Sequence, residues 1–227
     1  MLLVPESQAL PEYGFRRKRF RRRCGPPFQP IALVSGPSTP QDLVLYTTDI
    51  PVTSLHGSWA RASDDASPAR IKLRTSDAGY AITSNPLAAP THYLEATFTP
   101  VANTEYALWL RLKSKDNNNY NDSVWVQFSG ARYQGAGVYP LNSTQGLLVN
   151  LATDAAASSL NGWGWANGAY WLAQPTTVIF PQGGMQTIRI QVREDGVELD
   201  QIVLSPKTYL TRAPGSPGGD GTFVPKP

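Results

Sequence analysis

Cysteine and histidine are almost missing from this sequence. Among its 227 residues there is one cysteine, Cys24, and there are two histidines, His56 and His92. A single cysteine excludes a disulfide within the chain, and so few thiol and imidazole groups exclude a Cys/His metal cluster. The chain is nevertheless long enough for one domain with a substantial core, or for one domain with tails.

Long apolar runs and the familiar catalytic signatures are missing too. No apolar stretch is long enough to cross a membrane, and the opening residues MLLV are too few for the apolar region of a signal peptide. If the protein is exported, we expect the signal to lie upstream in a longer parent chain. The G-x-S-x-G, H-E-x-x-H, P-loop and Rossmann patterns do not occur.

The acidic residues do not suggest a glycosidase. Such an enzyme needs two carboxyl groups that flank one bond. The acidic pairs at 64–65 and 194–195 are sequence neighbours, and neighbouring strand residues point to opposite faces. Glu95 is the best single candidate for a catalytic carboxyl group, but we interpret it as an exposed residue of a strand. Two histidines in loop-like contexts also argue against a catalytic triad, so we predict that the protein is not an enzyme.

Charge is sparse and unevenly distributed. Charged residues make up 16% of the chain, and seven of its 20 basic residues lie in the run RRKRFRRR at 16–23. The rest of the chain is nearly neutral. A basic run can bind nucleic acid or an acidic surface, but most such runs are solvated tails. We favour a solvated, disordered tail and expect no nucleic-acid partner.

Proline and glycine are abundant, with 20 and 19 residues, and they divide the chain into three parts. Residues 1–40 are predicted to be a disordered basic tail and a proline-rich linker. Residues 41–210 are predicted to form a β-sandwich module, and residues 211–227 a linker rich in glycine and proline. Linkers at both ends are typical of one module of a larger polypeptide, so other domains of a parent chain are expected partners.

Alternating apolar residues predict strands throughout residues 41–210. Ten segments, bounded by Gly, Pro, Asn, Asp or Ser, are candidate strands: 42–47, 57–62, 70–74, 93–99, 106–113, 123–129, 147–151, 176–180, 185–193 and 197–204. Residues 152–159 could make a helical turn, and nothing longer looks helical. Regularly spaced strands without heptads or a βαβ rhythm predict an all-β antiparallel sandwich.

Three of these strands carry unusual residues where a solvent-exposed face is expected. Their core faces are apolar, because side chains alternate across a strand. The opposite faces carry Trp109, Arg111, Trp125, Gln127, Arg189 and Gln191. Flat rings beside guanidinium and amide groups suit a sugar, whose C–H groups stack on the rings while its hydroxyls form hydrogen bonds. The alternative is that a loop folds over this face and buries the tryptophans.

Two loops extend the predicted binding surface. The first, SKDNNNYNDS at 114–123, supplies Asn119, Tyr120, Asn121 and Asp122. The second, NGWGWANGAYW at 161–171, supplies Trp163, Trp165, Asn167, Tyr170 and Trp171. We expect one of Trp163 and Trp165 to be buried and the other aromatics to help frame a ligand site. Burial of both would favour a structural role.

Three segments, at 106–130, 160–171 and 186–210, resemble an uncharacterised β-sandwich module of large secreted bacterial proteins. That module is similar to the galactose-binding-like superfamily, which includes carbohydrate-binding modules of families 6 and 35 and malectin. The likeness to the module covers residues 42–213. The likeness to the sugar-binding modules rests mainly on VELDQIVL at 197–204, which resembles their closing strand. It implies a jelly-roll sandwich, a non-catalytic accessory role, a polysaccharide or glycan ligand, and an extracellular or cell-surface location.

The resemblance also implies a structural calcium ion. In the relatives, an Asp in the closing strand and acidic residues in the opening strand hold the ion. Asp200 fits the closing position, whereas Leu45 and Tyr46 stand where the relatives have carboxylates. Asp49 or Asp42 would have to substitute, and calcium needs six to eight oxygen ligands.

Two functions remain open at this point. The first is a carbohydrate-binding module that uses the polar and aromatic strand residues together with the two loops. The second is a structural or adhesive β-sandwich domain of an extracellular surface protein or filament, whose aromatic residues are buried for stability and which has no glycan ligand.

Overall fold

The structure, a computed structural model, describes residues 40–227. The basic run at 16–23 and Cys24 lie outside the described residues. Within the described range the protein is all-β, as predicted, and its helical segments are 3₁₀ turns of three residues each. None of these is long or apolar enough to cross a membrane.

Fourteen strands lie in the described part of the chain: β1 (Leu43–Tyr46), β2 (Leu55–His56), β3 (Ala60–Ser63), β4 (Ile71–Arg74), β5 (Tyr93–Phe98), β6 (Glu105–Ser114), β7 (Ser123–Phe128), β8 (Arg132–Tyr133), β9 (Ala136–Gly137), β10 (Leu147–Asn150), β11 (Trp163–Ala166), β12 (Thr177–Ile179), β13 (Gln186–Val192) and β14 (Val197–Ser205). The 3₁₀ turns are Thr47–Asp49, Val52–Ser54, Pro68–Arg70 and Lys115–Asn117. Each of the ten predicted strand segments contains all or part of a strand. Residues 152–159 form bends and turns, and no helix.

The strands form two antiparallel sheets that pack face to face as a jelly-roll sandwich. Sheet I has the order β3-β4-β14-β6-β12-β8-β9, with β1 also paired to β14 and β11 also paired to β6. Sheet II has the order β10-β7-β13-β5-β2. Consecutive strands often change sheet, as β5, β6 and β7 do, so the chain wraps around a common core.

The core lies between the sheets and consists of the apolar faces that alternation predicts. Leu108, Leu110 and Leu112 of β6 are fully buried, and they belong to the same cluster as Val126 of β7 and Ile190 of β13. Removal of apolar surface from water stabilises a fold by about 25 cal/mol per Å². This cluster is therefore the main source of the sandwich's stability.

The change of sheet between β6 and β7 corrects the predicted binding face. β6 lies in sheet I, whereas β7 and β13 lie in sheet II. The outward side chains of these strands therefore point to opposite sides of the sandwich. Trp109 and Arg111 belong to one outer face, and the other outer face holds Trp125, Gln127, Arg189 and Gln191. The single face that we predicted from the three strands does not exist in this fold.

The C-terminal segment packs on the outer face of sheet I, although its composition predicts a linker over 211–227. The backbone amide of Trp165 donates to the Ser216 carbonyl (2.9 Å). The Gln201 side chain bonds the backbone carbonyl (2.7 Å) and amide (3.0 Å) of Val224, whose side chain is buried. The packed part of the chain therefore extends well beyond residue 210.

Candidate functional site

Two loops cover the outer face of sheet II. The Trp125 indole N–H donates to the Thr83 hydroxyl (2.9 Å) in the β4–β5 loop, 75–92. The Gln127 amide donates to two backbone carbonyls (2.9 Å each) in the β9–β10 loop, 138–146. Both side chains are buried, and their polar groups are bonded within the protein. Loops therefore cover this face and bury its tryptophan, which is the alternative to a sugar-binding face that the sequence analysis gave.

The other two predicted ligand residues of this face also have internal partners. Gln191 bonds the amide and the carbonyl of Leu87 (2.9 and 3.1 Å). Arg189 pairs with Glu95 (2.7 Å) and donates to the Asn142 amide oxygen (3.0 Å). Glu95, the solitary candidate for acid chemistry, is thus the partner of a buried arginine. These contacts hold the covering loops on the sheet.

The outer face of sheet I is covered as well, by the C-terminal segment. The Trp109 indole N–H donates to the Tyr209 carbonyl (2.8 Å). The Arg111 guanidinium is fully buried, forms an ion pair with Asp200 and donates to the Asp220 carbonyl (2.9 Å). Both predicted ligand residues therefore hold the C-terminal segment against the sheet.

Trp163 and Trp165 are both buried, with 6% and 2% of their surfaces exposed, where we expected burial of one. Trp163 lies under the Arg111 guanidinium, 5.0 Å from it, in a cation–π contact. Trp165 packs with Trp109 beneath the C-terminal segment. The indole N–H groups of Trp163 and Trp165 are buried without a hydrogen-bond partner among the described residues. Burial of both rings favours a structural role for this pair.

The asparagine-rich loop is divided between exposed and buried residues. Asn119 and Tyr120 are exposed, whereas Asn121 and Asp122 are buried. None of these four lines either of the two cavities described below. These four residues therefore do not contribute to either cavity.

Asp122 forms a buried pair of carboxyl groups with Glu194. The Asp122 carboxylate accepts hydrogen bonds from the Ala152 amide (3.0 Å) and the Asn150 side chain (3.2 Å). The Glu194 carboxylate accepts them from the Asp122 amide (3.3 Å) and the Ser123 hydroxyl (2.6 Å). Burial raises the pKa of Asp122 to about 7, and the charge of Glu194 adds to the shift. Asp122 is thus a pH-sensitive group within the fold.

The residues assigned to calcium do not form a site that fits it. Asp200 pairs with Arg111, and burial raises the pKa of its carboxyl to about 7 although the guanidinium opposes that shift. Asp49 accepts the Tyr46 amide (2.7 Å) and pairs with Lys226 (2.5 Å). Residues 40–227 contain no group of three or more His, Cys, Asp or Glu side chains that could hold a metal ion. Calcium needs six to eight oxygen ligands, and this donor set does not supply them.

Three consecutive exposed residues between β11 and β12 form a ridge on the side of the sandwich. The β11–β12 loop (167–176) leaves Tyr170, Trp171 and Leu172 with 49%, 46% and 41% of their surfaces exposed. The Tyr170 and Trp171 rings pack edge to face, with their centroids 4.6 Å apart. We call these three residues the ridge.

Hydrogen bonds at both ends of this loop fix the ridge. β11 and β12 pair with successive parts of β6, on the side opposite to β14. The loop between them reaches the free edge of β10, where the backbone N–H of Asn150 donates to the backbone carbonyl of Gly168 (3.1 Å). The Gln174 side chain bonds the Leu148 amide and the Gly146 carbonyl, both at 2.9 Å. The loop thereby protects an edge strand and holds the ridge backbone in place.

Two cavities adjoin the ridge: Leu172 lines both, Tyr170 lines one, and Trp171 lines neither. Cavity A has a volume of about 440 Å³, and its lining includes Trp125, Ser84, Asn85, Thr144, Gln145 and Gln174. Cavity B has a volume of about 280 Å³, and its lining includes Trp109, Trp165, Asn150, Thr153, Asn167 and Tyr170. No charged residue lines either cavity. The arrangement offers aromatic and neutral hydrogen-bonding groups side by side.

Some of the predicted ligand residues meet at this site, and some of its residues were missed. Cavity B brings together Trp109, Trp165, Asn167 and Tyr170. The sequence analysis did not identify Leu172, Asn85, Thr144, Gln145 or Gln174. The run Tyr-Trp-Leu at 170–172, three large apolar residues in a loop bounded by glycine and proline, is the signal that could have located the ridge. The loops of cavity A carry no comparable signal.

Comparisons with known proteins give likenesses of fold. No protein-family model and no curated protein matches the chain. Among solved structures, it is 13% identical to a GH26-CBM35 β-(1,4)-mannanase of Podospora anserina, over 75% of this chain and 28% of that chain, with a TM-score of 0.47. It is 14% identical to a carbohydrate-binding module of Cellvibrio mixtus lichenase 5A in complex with cellotriose, over 72% of this chain and 95% of that chain, with a TM-score of 0.40.

A third likeness is to a family 35 carbohydrate-binding module from Clostridium thermocellum. The identity is 13%, the match covers 72% of this chain and 98% of that chain, and the TM-score is 0.39. The chain thus spans 28% of the mannanase chain and nearly all of each isolated module.

Proposed function

We propose that the chain is a non-catalytic carbohydrate-binding module of a secreted or cell-surface protein, and that it binds a poly- or oligosaccharide at the ridge. The observation that carries this proposal is the exposed Tyr170–Trp171 pair next to Leu172, the residue at which two uncharged cavities meet. Aromatic rings present a flat face to the C–H groups of a sugar. Amide and hydroxyl groups in the cavities supply donors and acceptors for its hydroxyls.

The tethers of the β11–β12 loop support this proposal. A ridge whose backbone is already fixed loses little conformational freedom when a ligand binds, and such preorganisation improves affinity. A single ridge of three side chains still gives weak binding. Further modules in a parent chain would raise the overall affinity for a polymer through multivalency.

The positions of the carboxylates support a non-catalytic role. Neither cavity has an Asp or Glu in its lining. Glu95 is paired with Arg189, and Glu194 is paired with Arg193. A glycosidase would need two carboxyl groups on either side of the bond that it cleaves, and the ridge does not provide them.

The ridge itself is the first testable feature. Trp171→Ala should lower the affinity for the bound polysaccharide by about tenfold, because it removes the most extended stacking surface. Tyr120→Ala is the matched control, since Tyr120 is an aromatic residue that is 63% exposed but belongs to the asparagine-rich loop and not to the ridge, and it should leave the affinity unchanged. Affinity electrophoresis against a panel of neutral and acidic polysaccharides, followed by calorimetry on the polymer that binds, measures both effects. Equal losses in the two variants would contradict the ridge as the site.

A structural or adhesive domain without a glycan ligand is the second candidate. The burial of Trp109, Trp125, Trp163 and Trp165 favours it, because these rings stabilise the sheets and the segments that cover them. On this alternative no polysaccharide of the panel retards the folded protein. The same electrophoresis therefore separates the two functions.

A further inference from the structure

Both cavities beside the ridge lack charge. Their linings consist of apolar, amide and hydroxyl-bearing residues and glycine, with no Asp, Glu, Lys, Arg or His. Another cavity of the described chain is different, because Arg74, Asp77, Lys115 and Glu198 all line it. Two further cavities of the described chain also have charged residues in their linings, so the lack of charge distinguishes the two cavities beside the ridge from these three, and it restricts the ligand.

A ligand with carboxylate or sulfate groups would find no countercharge in these cavities. Transfer of an ionised group from water to a site without a partner is costly. The guanidinium groups of the two sheet faces are already occupied, since Arg111 pairs with Asp200 and Arg189 pairs with Glu95. A neutral sugar needs no countercharge, because its hydroxyls match amide and hydroxyl groups.

Each cavity offers polar side chains at its surface. In cavity A these are the amides of Asn85 and Gln145, and both residues are exposed. In cavity B they are the hydroxyl of the exposed Thr153 and the amide of the half-buried Asn167. Other amides of the same linings, such as that of Gln174, are used in tethering the loop. Hydrogen-bonding groups are thus available on both sides of the ridge.

Leu172 belongs to both linings, so the two cavities meet at this residue of the ridge. One sugar ring can enter one cavity. A chain of several sugars that passes over Leu172, beside the aromatic pair, can reach into both at once.

We infer that the ligand is a neutral polysaccharide chain that lies across the ridge and occupies both cavities, and that it is neither a charged glycan nor a single terminal sugar. This inference rests on the proposed function. It makes the affinity depend on chain length, because the second cavity contributes only when the chain is long enough to cross the ridge.

The charge of the ligand is tested on the polymer that the panel identifies. One sample of that polymer is carboxymethylated, and a second is hydroxyethylated to the same degree of substitution as a neutral control for bulk. We expect the carboxymethylated sample to bind at least about tenfold more weakly than the hydroxyethylated one. Equal binding of the two samples, or a preference for an acidic polysaccharide in the panel, overturns the inference of a neutral ligand.

The length of the ligand is tested by calorimetry with oligosaccharides of the same polymer, from the disaccharide upward. Affinity should rise by about tenfold or more with length and then level off. The variants Asn85→Ala/Gln145→Ala in cavity A and Thr153→Ala/Asn167→Ala in cavity B should each reduce the affinity for the longest oligosaccharide to that of a short one. Circular dichroism confirms that each variant is folded.

The outcomes distinguish this inference from the function on which it rests. An affinity that is the same from the disaccharide upward, or a loss confined to the variants of one cavity, overturns the two-cavity inference and leaves carbohydrate binding intact. If no neutral or acidic polysaccharide binds the wild-type protein, the proposed function fails and this inference fails with it.

Discussion

Arg111 bonds three separate parts of the chain: the Ala66 carbonyl before β4, the Asp200 carboxylate in β14 and the Asp220 carbonyl in the C-terminal segment. Alternation along β6 predicted that this side chain points away from the core, and it does. The same pattern suggested a ligand contact, because nothing local in the sequence indicates that the far end of the chain covers the residue. A buried arginine and an exposed one have the same strand pattern, and only long-range packing distinguishes them.

Loss of the Arg111 charge should strongly destabilise the protein. In Arg111→Met the Asp200 carboxyl group stays buried without its partner, so the free energy of unfolding should fall by about 3–5 kcal/mol. The double variant Arg111→Met/Asp200→Leu removes both buried charges and should lose less. Urea unfolding followed by tryptophan fluorescence measures both values. A double variant that is less stable than the single one would show that the unpaired Asp200 carboxyl group does not destabilise the fold.

The buried carboxyl of Asp122 determines how stability responds to pH. Its pKa is about 7 in the folded protein, against an ordinary value of 3.8. Between these two values the folded state holds a proton that the unfolded state has released, so the stability falls as the pH rises through this window. Asp200, whose pKa is also raised to about 7, acts in the same direction.

Asp122→Asn should reduce this loss and raise the free energy of unfolding near pH 8, because an amide is buried without a charge. Each unit of raised pKa corresponds to about 1.4 kcal/mol. Asp116→Asn is the matched control, since the Asp116 side chain is 80% exposed, and it should leave the pH dependence unchanged. Urea unfolding on the acidic and alkaline sides of the window compares the variants. If the free energy of unfolding of Asp122→Asn changes with pH as steeply as that of wild type, Asp122 is not the group responsible for the pH dependence.

Individual strands could be predicted from the sequence, and their grouping into sheets could not. Alternation located β6, β7 and β13 because their inward residues are apolar. It shows which side chains share a face of one strand, but it does not show which sheet that strand joins. The C-terminal segment was misjudged for a related reason. Its proline and glycine content is typical of linkers, but an irregular segment that packs on a sheet has the same composition.

Gly164 in β11 tests the packing of that segment. An added Cβ at Gly164 would meet the Pro217 carbonyl of the C-terminal segment. Gly164→Ala should therefore lower the free energy of unfolding by about 1–3 kcal/mol, as overpacking does. Gly137→Ala in β9 is the matched control, because an added Cβ meets nothing there. If thermal melts show the same midpoint for Gly164→Ala and wild type, the segment does not pack on β11 as described.

Across the whole described chain, both outer faces of the sandwich are covered, one by loops and the other by the C-terminal segment. The open aromatic surface described above is on the side, at the ridge. Regularly spaced short strands without heptads or a βαβ rhythm were enough to predict an all-β sandwich. The place of the candidate site depends instead on which surfaces stay uncovered, and that is decided by contacts between residues far apart in the sequence, such as Trp109 with Tyr209.

The stability of the whole domain should not depend on calcium. The two carboxylates assigned to the ion have protein partners, Arg111 for Asp200 and Lys226 for Asp49, so chelation leaves no new unpaired charge. The melting temperature in EDTA should equal that in calcium chloride, measured by differential scanning fluorimetry with magnesium chloride as the control for ionic strength. A midpoint that rises with calcium alone would reveal a site that these residues do not form.

The attachment of β11 and β12 to one strand, β6, has a consequence for how binding specificity can change. Each flanking strand keeps its register through its own pairing, so the exposed side chains at 170–172 can be exchanged without moving either strand. On the proposed function, changes in ligand binding at these positions would not alter the fold. A library of side chains at 170–172 can be selected for new polymers while the scaffold that presents them stays the same.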